Sequence, residues 1–212
     1  MKKTTKEGDF TFDSLYTNLM ISLFSDISSQ DDRNPNKRYD LSLALKCGYA
    51  LFALKSASLF SFQKHSAVES SNLESIFKIK NTLSDNGLRT VLDRIDSELL
   101  RSNFQRIISY LEERNILSSY RYWNDHLLVS IDGVEHFNSK KINCSCCMKR
   151  SHRNGTSSYY HSMLSAAIVC PHQSEVFVAE NEPIVKQDGA KKNDCERNAA
   201  KRLFKRLERL PA

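Results

Sequence analysis

Glycine and proline, the residues that most often interrupt helices and strands, are scarce in this chain. Its 212 residues contain 6 Gly and 4 Pro, which favours regular elements joined by short connections. Long apolar runs are also missing, since the best candidate for a membrane helix, Leu41–Phe62, is interrupted by lysines and serines. We therefore expect a globular chain with no membrane partner.

The first seven residues also lack the apolar segment of a secretory signal, because they are polar and basic. Together with the missing membrane helix, this predicts a soluble protein located in the cytoplasm. In that reducing compartment, the six cysteines are expected to be free thiols or metal ligands rather than disulfide partners.

Positive charge is concentrated near the carboxyl end of the sequence. The net charge is +6, and the residues from Lys186 onward hold nine Lys/Arg against four Asp/Glu, which accounts for +5 of it. Apolar spacing predicts a helix over Asp194–Leu210 with cations on its polar face. Such cations contact phosphates, so DNA is the expected partner, although a solvated helix face explains the charge equally well. The predicted DNA-binding residues are Arg197, Lys201, Arg202, Lys205 and Arg206.

The first half of the chain is predicted to be helical. Apolar residues recur at helical spacing over most of residues 10–24 and 40–117, with Asp13 placed to cap the first helix and Asp40 or Ser42 placed to cap the next. Ser25–Lys37 is polar and is predicted to be a linker. The predicted segments are an N-terminal helix and linker, a helical region that is a candidate DNA-binding unit, and a mixed region. Their ranges are 1–37, 38–118 and 119–212. For the helical region, a bundle that only packs on its neighbour is the simpler alternative.

The second half carries the β signals. Leu127–Ile131 is an apolar run that predicts a buried strand ending at the turn signal Asp132-Gly133. Ser157–Cys170 and Ser174–Glu180 predict a hairpin that ends at Glu182-Pro183. With the helices of the first half, these strands predict an α+β fold.

Asp132 is the first candidate for chemistry. A carboxylate at the end of a buried strand is costly unless it has a partner, and a divalent metal ion is one natural partner. Phosphodiester chemistry usually needs two such ions, held by two or three carboxylates. A structural turn residue is the commoner explanation of a lone Asp. Other carboxylates considered for the site are Glu135, Asp188, Asp194 and Glu196, with Asp194 also expected to cap the last helix.

Cys144 and Cys147 form a Cys-x-x-Cys motif, which supplies half of a zinc site. No second motif of this kind is present in the sequence, so the remaining ligands would be histidines. The candidates are His136, His152 and His161. Buried thiols without a metal ion are the alternative.

Two stretches of the second half resemble the DDE transposases of bacterial insertion sequences, of the insertion-sequence-four type. The resemblance covers about residues 80–210 and rests on motifs in a fixed order. These motifs are an Ile-Asp-Gly strand end, a Cys-x-x-Cys loop, a Tyr-Tyr-His strand and a helix with Asn-Asp-Cys-Glu-x-Asn-Ala-Ala-Lys-Arg. They stand here in IDGVEHFNSKKINCSCCMKRSHRNGTSSYYHSMLSAAIV and NEPIVKQDGAKKNDCERNAAKRLFKRL.

The resemblance implies a ribonuclease-H-like core in which two Mg²⁺ ions and a DDE triad cut and rejoin DNA ends. Asp132 falls on the position of the first catalytic Asp. In that family the second Asp and the Glu lie beyond the last helix of this sequence. The resemblance therefore implies the amino-terminal, incomplete portion of a transposase, which binds DNA but has little or no strand-transfer activity alone.

Two other interpretations remain open, and so does self-association into a homo-oligomer. The first is a non-enzymatic DNA-binding or regulatory module that zinc stabilises. The second is an inactive remnant, in which an incomplete sheet leaves an unpaired edge and an exposed apolar face.

Overall fold

The computed structural model describes residues 11–31, 39–185 and 194–208. The chain divides into two compact units, Met1–Leu100 and Arg101–Ala212. The first unit is helical and the second contains an antiparallel sheet with helices, so the predicted α+β class is confirmed. Within the described ranges, none of the helices combines the length and the apolar character that crossing a membrane requires.

Short capped helices make up the first unit. Of the two predicted caps, Asp40 and Ser42, Asp40 caps α3 (Leu41–Ala53), because its carboxylate accepts a hydrogen bond from the Leu43 amide at 3.1 Å. The prediction that Asp13 caps the first helix was wrong, since the Thr11 hydroxyl accepts from the Ser14 amide at 3.1 Å. The helices are α1 (Phe12–Leu15), a π-helical turn (Tyr16–Met20), α2 (Ile21–Ser29), α3 (Leu41–Ala53), α4 (Leu59–Ser66), α5 (Ser70–Phe77) and α6 (Asp85–Leu92).

The first helical segment runs further than its sequence pattern suggested. It ends at Ser29 instead of Phe24, so part of the predicted linker is helical. Burial of Ile27 against the core of the unit explains the extension, because it continues the apolar face by one turn. Residues 32–37 of the predicted linker lie outside the described part of the chain, and so do residues 1–10.

An aromatic cluster forms the centre of this unit. Tyr16 is fully buried, with its ring close to the rings of Phe24, Tyr49 and Phe77. Its hydroxyl donates a hydrogen bond to the Phe77 carbonyl at 2.8 Å. Burial raises the pKa of this hydroxyl far above its ordinary value, so Tyr16 stays neutral and serves packing.

The sheet of the second unit is organised around one long central strand, β4 (Ser157–Val169). β2 (His126–Ser139) pairs with one edge of β4, while β3 (Met148–Ser151) and β5 (Phe177–Ile184) pair one after the other along the opposite edge, and every pairing is antiparallel. The elements are α7 (Glu98–Glu113), β1 (Arg121–Tyr122), β2 (His126–Ser139), β3 (Met148–Ser151), β4 (Ser157–Val169), β5 (Phe177–Ile184) and α8 (Glu196–Leu207), with 3₁₀ turns at Leu117–Tyr120 and Trp123–Asp125.

Two predicted strand ends were wrong. β2 does not end at Asp132-Gly133 but continues to Ser139, because both residues remain paired with β4, where Asp132 lies opposite Ser165. β5 does not end at Glu182-Pro183 but continues to Ile184. Pro183 is tolerated because β5 pairs only with β4 among the described strands, and an edge strand does not need a second amide donor.

Alternating side chains give the sheet one covered face and one exposed face. Leu164, Ala166 and Ile168 of β4 are buried, and they pack in clusters with residues of α7 and α8. On the opposite face, Leu128 and Val134 are each 44% exposed, and Asp132 is exposed beside them. Antiparallel sheets commonly have one such solvated face, and here it carries apolar as well as polar side chains.

Candidate metal centre and basic helix

Cys144, Cys147 and His161 converge at one end of the sheet. The two sulfurs lie 3.6 Å apart, and each lies 3.2 Å from Nε2 of His161. Among the described residues, this is the only group of three or more His, Cys, Asp and Glu side chains placed to hold a metal ion. The centre is therefore a candidate Cys₂His metal site.

The spacing of these three atoms is close to one face of a ligand tetrahedron. Zn–S bonds of about 2.3 Å and Zn–N bonds of about 2.0–2.1 Å place tetrahedral sulfurs about 3.8 Å apart, and sulfur and nitrogen about 3.6 Å apart. The observed distances are shorter by less than about 0.5 Å. Small side-chain rotations would therefore bring the three atoms to coordination distance.

The local backbone explains why the two cysteines meet. The Cys147 amide donates to the Cys144 carbonyl at 3.2 Å, which closes a tight turn before β3 begins at Met148. The Cys144 amide also donates to Sγ of Cys147 at 3.2 Å. Hydrogen bonds to sulfur favour the thiolate form, which is the form that binds metal. Cys147 is buried and Cys144 is exposed, so the centre lies at the surface.

Of the three histidines considered from sequence, the structure brings His161 to the cysteines. His152 lies elsewhere, because its Nε2 pairs with the Ser158 hydroxyl at 2.9 Å. His136 lies beside His161, with ring centroids 6.0 Å apart and an interplanar angle of 19°. Burial, and then the neighbouring His161, lower the pKa of His136 below its ordinary value.

Asp132 stands apart from this centre. It lies opposite Ser165, four residues along β4 from His161, which corresponds to about 14 Å of strand. Its carboxylate accepts a hydrogen bond from the Gly133 amide at 2.8 Å. The Cys₂His centre therefore supports the far end of the strands and does not contact Asp132.

Glu196 and Glu135, two of the other predicted carboxylates, lie on the opposite face of the sheet from Asp132. A Cβ atom added at Gly133, the next residue, would lie 2.7 Å from Oε1 of Glu196, which places Glu196 on the helix-covered face. Glu135 lies three residues after Asp132 in β2, so strand alternation places its side chain on the helix-covered face. Its carboxylate forms an ion pair with Arg150 at 2.8 Å. Hydrogen bonds from Asn138 and Arg150 lower the pKa of Glu135. Asp188 lies outside the described residues.

The positions of these carboxylates determine whether two divalent metal ions can bind at Asp132. A two-metal site needs two or three carboxylates converging on one point. In the described part of the chain, Asp132 belongs to no group of three or more candidate metal ligands, and its partner across the strand pair is Ser165. The described residues therefore do not fit a two-Mg²⁺ centre.

The five predicted DNA-binding cations of α8 divide into two groups. Arg197, Lys201 and Lys205 are exposed, and they recur every four residues along the helix. Arg202 and Arg206 are half-buried instead of projecting into solvent as the sequence pattern suggested. The reason is an ion-pair network with β5, in which both guanidinium groups turn toward the sheet.

The network is centred on Glu182, a β5 residue that is 4% exposed. Its Oε1 lies 2.6 Å from Nε of Arg202, and its Oε2 lies 2.8 Å from Nη1 of Arg101 and 3.0 Å from Nη1 of Arg206. A buried carboxylate is stable only with such partners. Glu182 thus connects α8 and the start of α7 to the sheet.

Asp194 extends this network and does not act as the predicted N-cap. α8 begins at Glu196 with Cys195 as its N-cap, so Asp194 lies one residue earlier. Its Oδ2 accepts from Nη2 of Arg202 at 2.8 Å. Burial alone would raise the pKa of Asp194, but hydrogen bonds from Arg202, the Cys195 amide and Asn198 outweigh burial and lower it. Asp194 is therefore ionised at neutral pH and helps to orient Arg202.

Sequence reasoning missed Glu182 and left His161 as one histidine among three. Glu182 precedes a proline, and this pair predicted the end of a strand, so the sequence did not indicate that Glu182 is a buried strand residue. In the sequence, His161 differs in lying within a long predicted strand, Ser157–Cys170, but only the pairing of β3 with β4 brings it to the cysteines. Comparison of the chain with family models, with curated proteins and with solved structures gave no match.

Proposed function

We propose that this chain is a zinc-stabilised DNA-binding module of the DDE transposase type. The observation that carries the proposal is the order of elements in the second unit. Three antiparallel strands, β2, β4 and β5, are paired side by side, the first carries Asp132, and a basic helix follows. This is the order in which the ribonuclease-H-like core implied by the sequence resemblance begins.

The exposed stripe of α8 is the proposed DNA contact. Arg197, Lys201 and Lys205 lie about 6 Å apart along the helix axis, given a rise of about 1.5 Å per residue. No ion pair joins them to a carboxylate within residues 11–31, 39–185 and 194–208. Their charges are therefore available for phosphates, while Arg202 and Arg206 hold the helix against the sheet.

Zinc is the metal ion that the Cys₂His centre fits best. Thiolate sulfur and imidazole nitrogen are the ligands that zinc prefers in structural sites, whereas Mg²⁺ prefers oxygen. A zinc ion there would fix the segment between β2 and β3 against β4. Its role is to hold the sheet in shape near the DNA-binding helix.

Salt dependence of DNA binding tests the proposed contact. Changing Arg197, Lys201 and Lys205 together to Gln is expected to weaken binding to a short DNA duplex. The slope of log affinity against log salt should become shallower by about 2.7, which is about 0.9 for each of three lost phosphate contacts. Fluorescence anisotropy over a salt series measures both quantities.

A control variant removes the same charge from the same unit. Lys140, Lys141 and Arg153 are exposed and lie outside α8, so changing them to Gln should alter the slope by less than about 1. Equal losses in the two triple variants would mean that DNA responds only to net charge. Such a result would contradict a specific contact through α8.

A second measurement tests whether Asp132 keeps the metal affinity of a catalytic transposase site or belongs to a DNA-binding module without one. Because Asp132 belongs to no group of three or more candidate ligands among the described residues, we expect Mn²⁺ to bind there only weakly. Paramagnetic broadening of NMR signals near Asp132 should then need millimolar Mn²⁺, with DNA present or absent. Tight binding that Asp132→Asn removes would instead favour an intact transposase metal site.

A further inference from the structure

We infer that His136 is the fourth ligand of the zinc ion, so that the centre is a closed Cys₂His₂ site. The inference rests on the proposed zinc binding and deepens it. Cys144, Cys147 and His161 provide three ligand atoms and leave one position of a tetrahedron to fill. Whether a side chain or a water molecule fills it decides whether the ion is purely structural or open to exchange.

A β-bulge places His136 at this position. Glu135 lies opposite Ser162 and Phe137 lies opposite His161, so His136 is an extra residue in β2. A bulge puts two residues of one strand against one of its neighbour and redirects their side chains. The rings of His136 and Phe137 consequently both lie near the ring of His161, at centroid distances of 6.0 Å and 5.6 Å.

The separation of the two imidazoles is close to what a shared ion requires. Two imidazoles on one tetrahedral zinc ion have centroids about 5 Å apart, given Zn–N bonds of about 2.0–2.1 Å. The rings of His136 and His161 lie 6.0 Å apart, and His136 lies outside the group of three ligand atoms within 4.8 Å of one another, so its side chain must turn toward them to complete the site.

The neighbouring donors have other positions and partners. Cys146 is exposed, and its sulfur lies 3.9 Å from the Ser145 hydroxyl. His152 pairs with Ser158, as described above. His136 also comes from β2, whereas the other ligands come from β4 and the segment before β3. A fourth ligand from β2 would connect all three parts of the chain through one ion.

The test measures metal binding by the full chain and by two histidine variants. Zinc content is determined by mass spectrometry, affinity by chelator competition, and ligand number by X-ray absorption of the zinc-loaded protein. We expect one zinc ion per chain with scattering from two imidazoles. His136→Ala is expected to lower zinc affinity by about 100-fold or more and to leave one imidazole. His152→Ala, the matched control, should change neither quantity.

A third variant shows whether a loss of zinc affinity in His136→Ala comes from the missing ligand or from misfolding. His136→Cys places another zinc ligand at the same position, so it should restore tight binding and strengthen the sulfur-to-metal charge-transfer absorption of the cobalt-substituted protein. If His136→Ala keeps wild-type affinity and two imidazoles, or if His136→Cys adds no sulfur ligand, the fourth-ligand inference is wrong. If the wild-type chain itself binds no zinc or cobalt, the proposed metal centre fails and the inference fails with it.

Discussion

Cys147→Ser is expected to release zinc and to lower the melting temperature of the second unit by about 10 °C or more. Cys147 is 1% exposed and its sulfur contacts both other members of the centre. Losing an outer hydrogen-bond partner of a metal ligand already lowers affinity about 10- to 100-fold, so losing the ligand itself should exceed about 100-fold.

The size of the thermal effect follows from linkage between binding and folding. With zinc otherwise saturating, a 100-fold loss of affinity removes about 2.7 kcal/mol from the free energy of unfolding. In a domain of roughly this size, each kcal/mol shifts the melting temperature by about 4 °C or more. A chelator added to the wild-type protein should produce a similar shift, because it removes the same ion.

Cys146→Ser is the matched control for this experiment. Cys146 is exposed, adjacent in sequence and outside the metal-binding group, so its replacement should leave zinc content and melting temperature unchanged. Differential scanning calorimetry with and without chelator records both effects. A chelator-insensitive melt of the wild-type chain would mean that the cysteines are ordinary thiols.

Glu182→Gln is expected to destabilise the second unit by about 3–5 kcal/mol, the usual effect of removing one partner from a buried ion pair. The change removes the only carboxylate that lies within 3.0 Å of Arg101, Arg202 and Arg206 together, among the described residues. Three guanidinium groups would then repel one another at the contact between α8 and β5. Urea denaturation followed by circular dichroism measures the change.

Glu135→Gln provides the comparison for that result. Glu135 also pairs with an arginine across the same sheet, but both side chains of this pair with Arg150 are well exposed to solvent. Exposed ion pairs contribute about 0–1 kcal/mol, so the second variant should differ from wild type by less than that. Equal stability of the two variants would show that the Glu182 network adds nothing beyond a surface pair.

The Glu182 network also bears on the DNA contact. Arg202 and Arg206 fix the orientation of α8, which determines where Arg197, Lys201 and Lys205 point. Glu182→Gln should therefore weaken DNA binding as well as stability, although Glu182 contacts no exposed cation of the stripe. The α8 triple variant should weaken binding with little change in stability, since its residues are exposed.

Much of the secondary structure followed from local sequence signals. Asp40 was predicted to cap a helix and does so, and the long strand over Ser157–Cys170 was found as β4, Ser157–Val169. The failures have specific physical causes. Asp132-Gly133 carried a turn signal, but pairing with β4 held both residues in an extended strand. Pro183 suggested a strand end, but an edge strand accommodates it.

The sequence by itself determined the α+β class, the Cys-x-x-Cys half of the metal centre and the basic character of the last helix. These features depend on residue type and short-range spacing, which are visible without a fold. The tertiary structure selected His161 from three histidines, separated Asp132 from the other described carboxylates, and turned Arg202 and Arg206 toward Glu182. Those outcomes depend on strand register and on which face of the sheet the helices cover, and register is fixed only when distant segments pair.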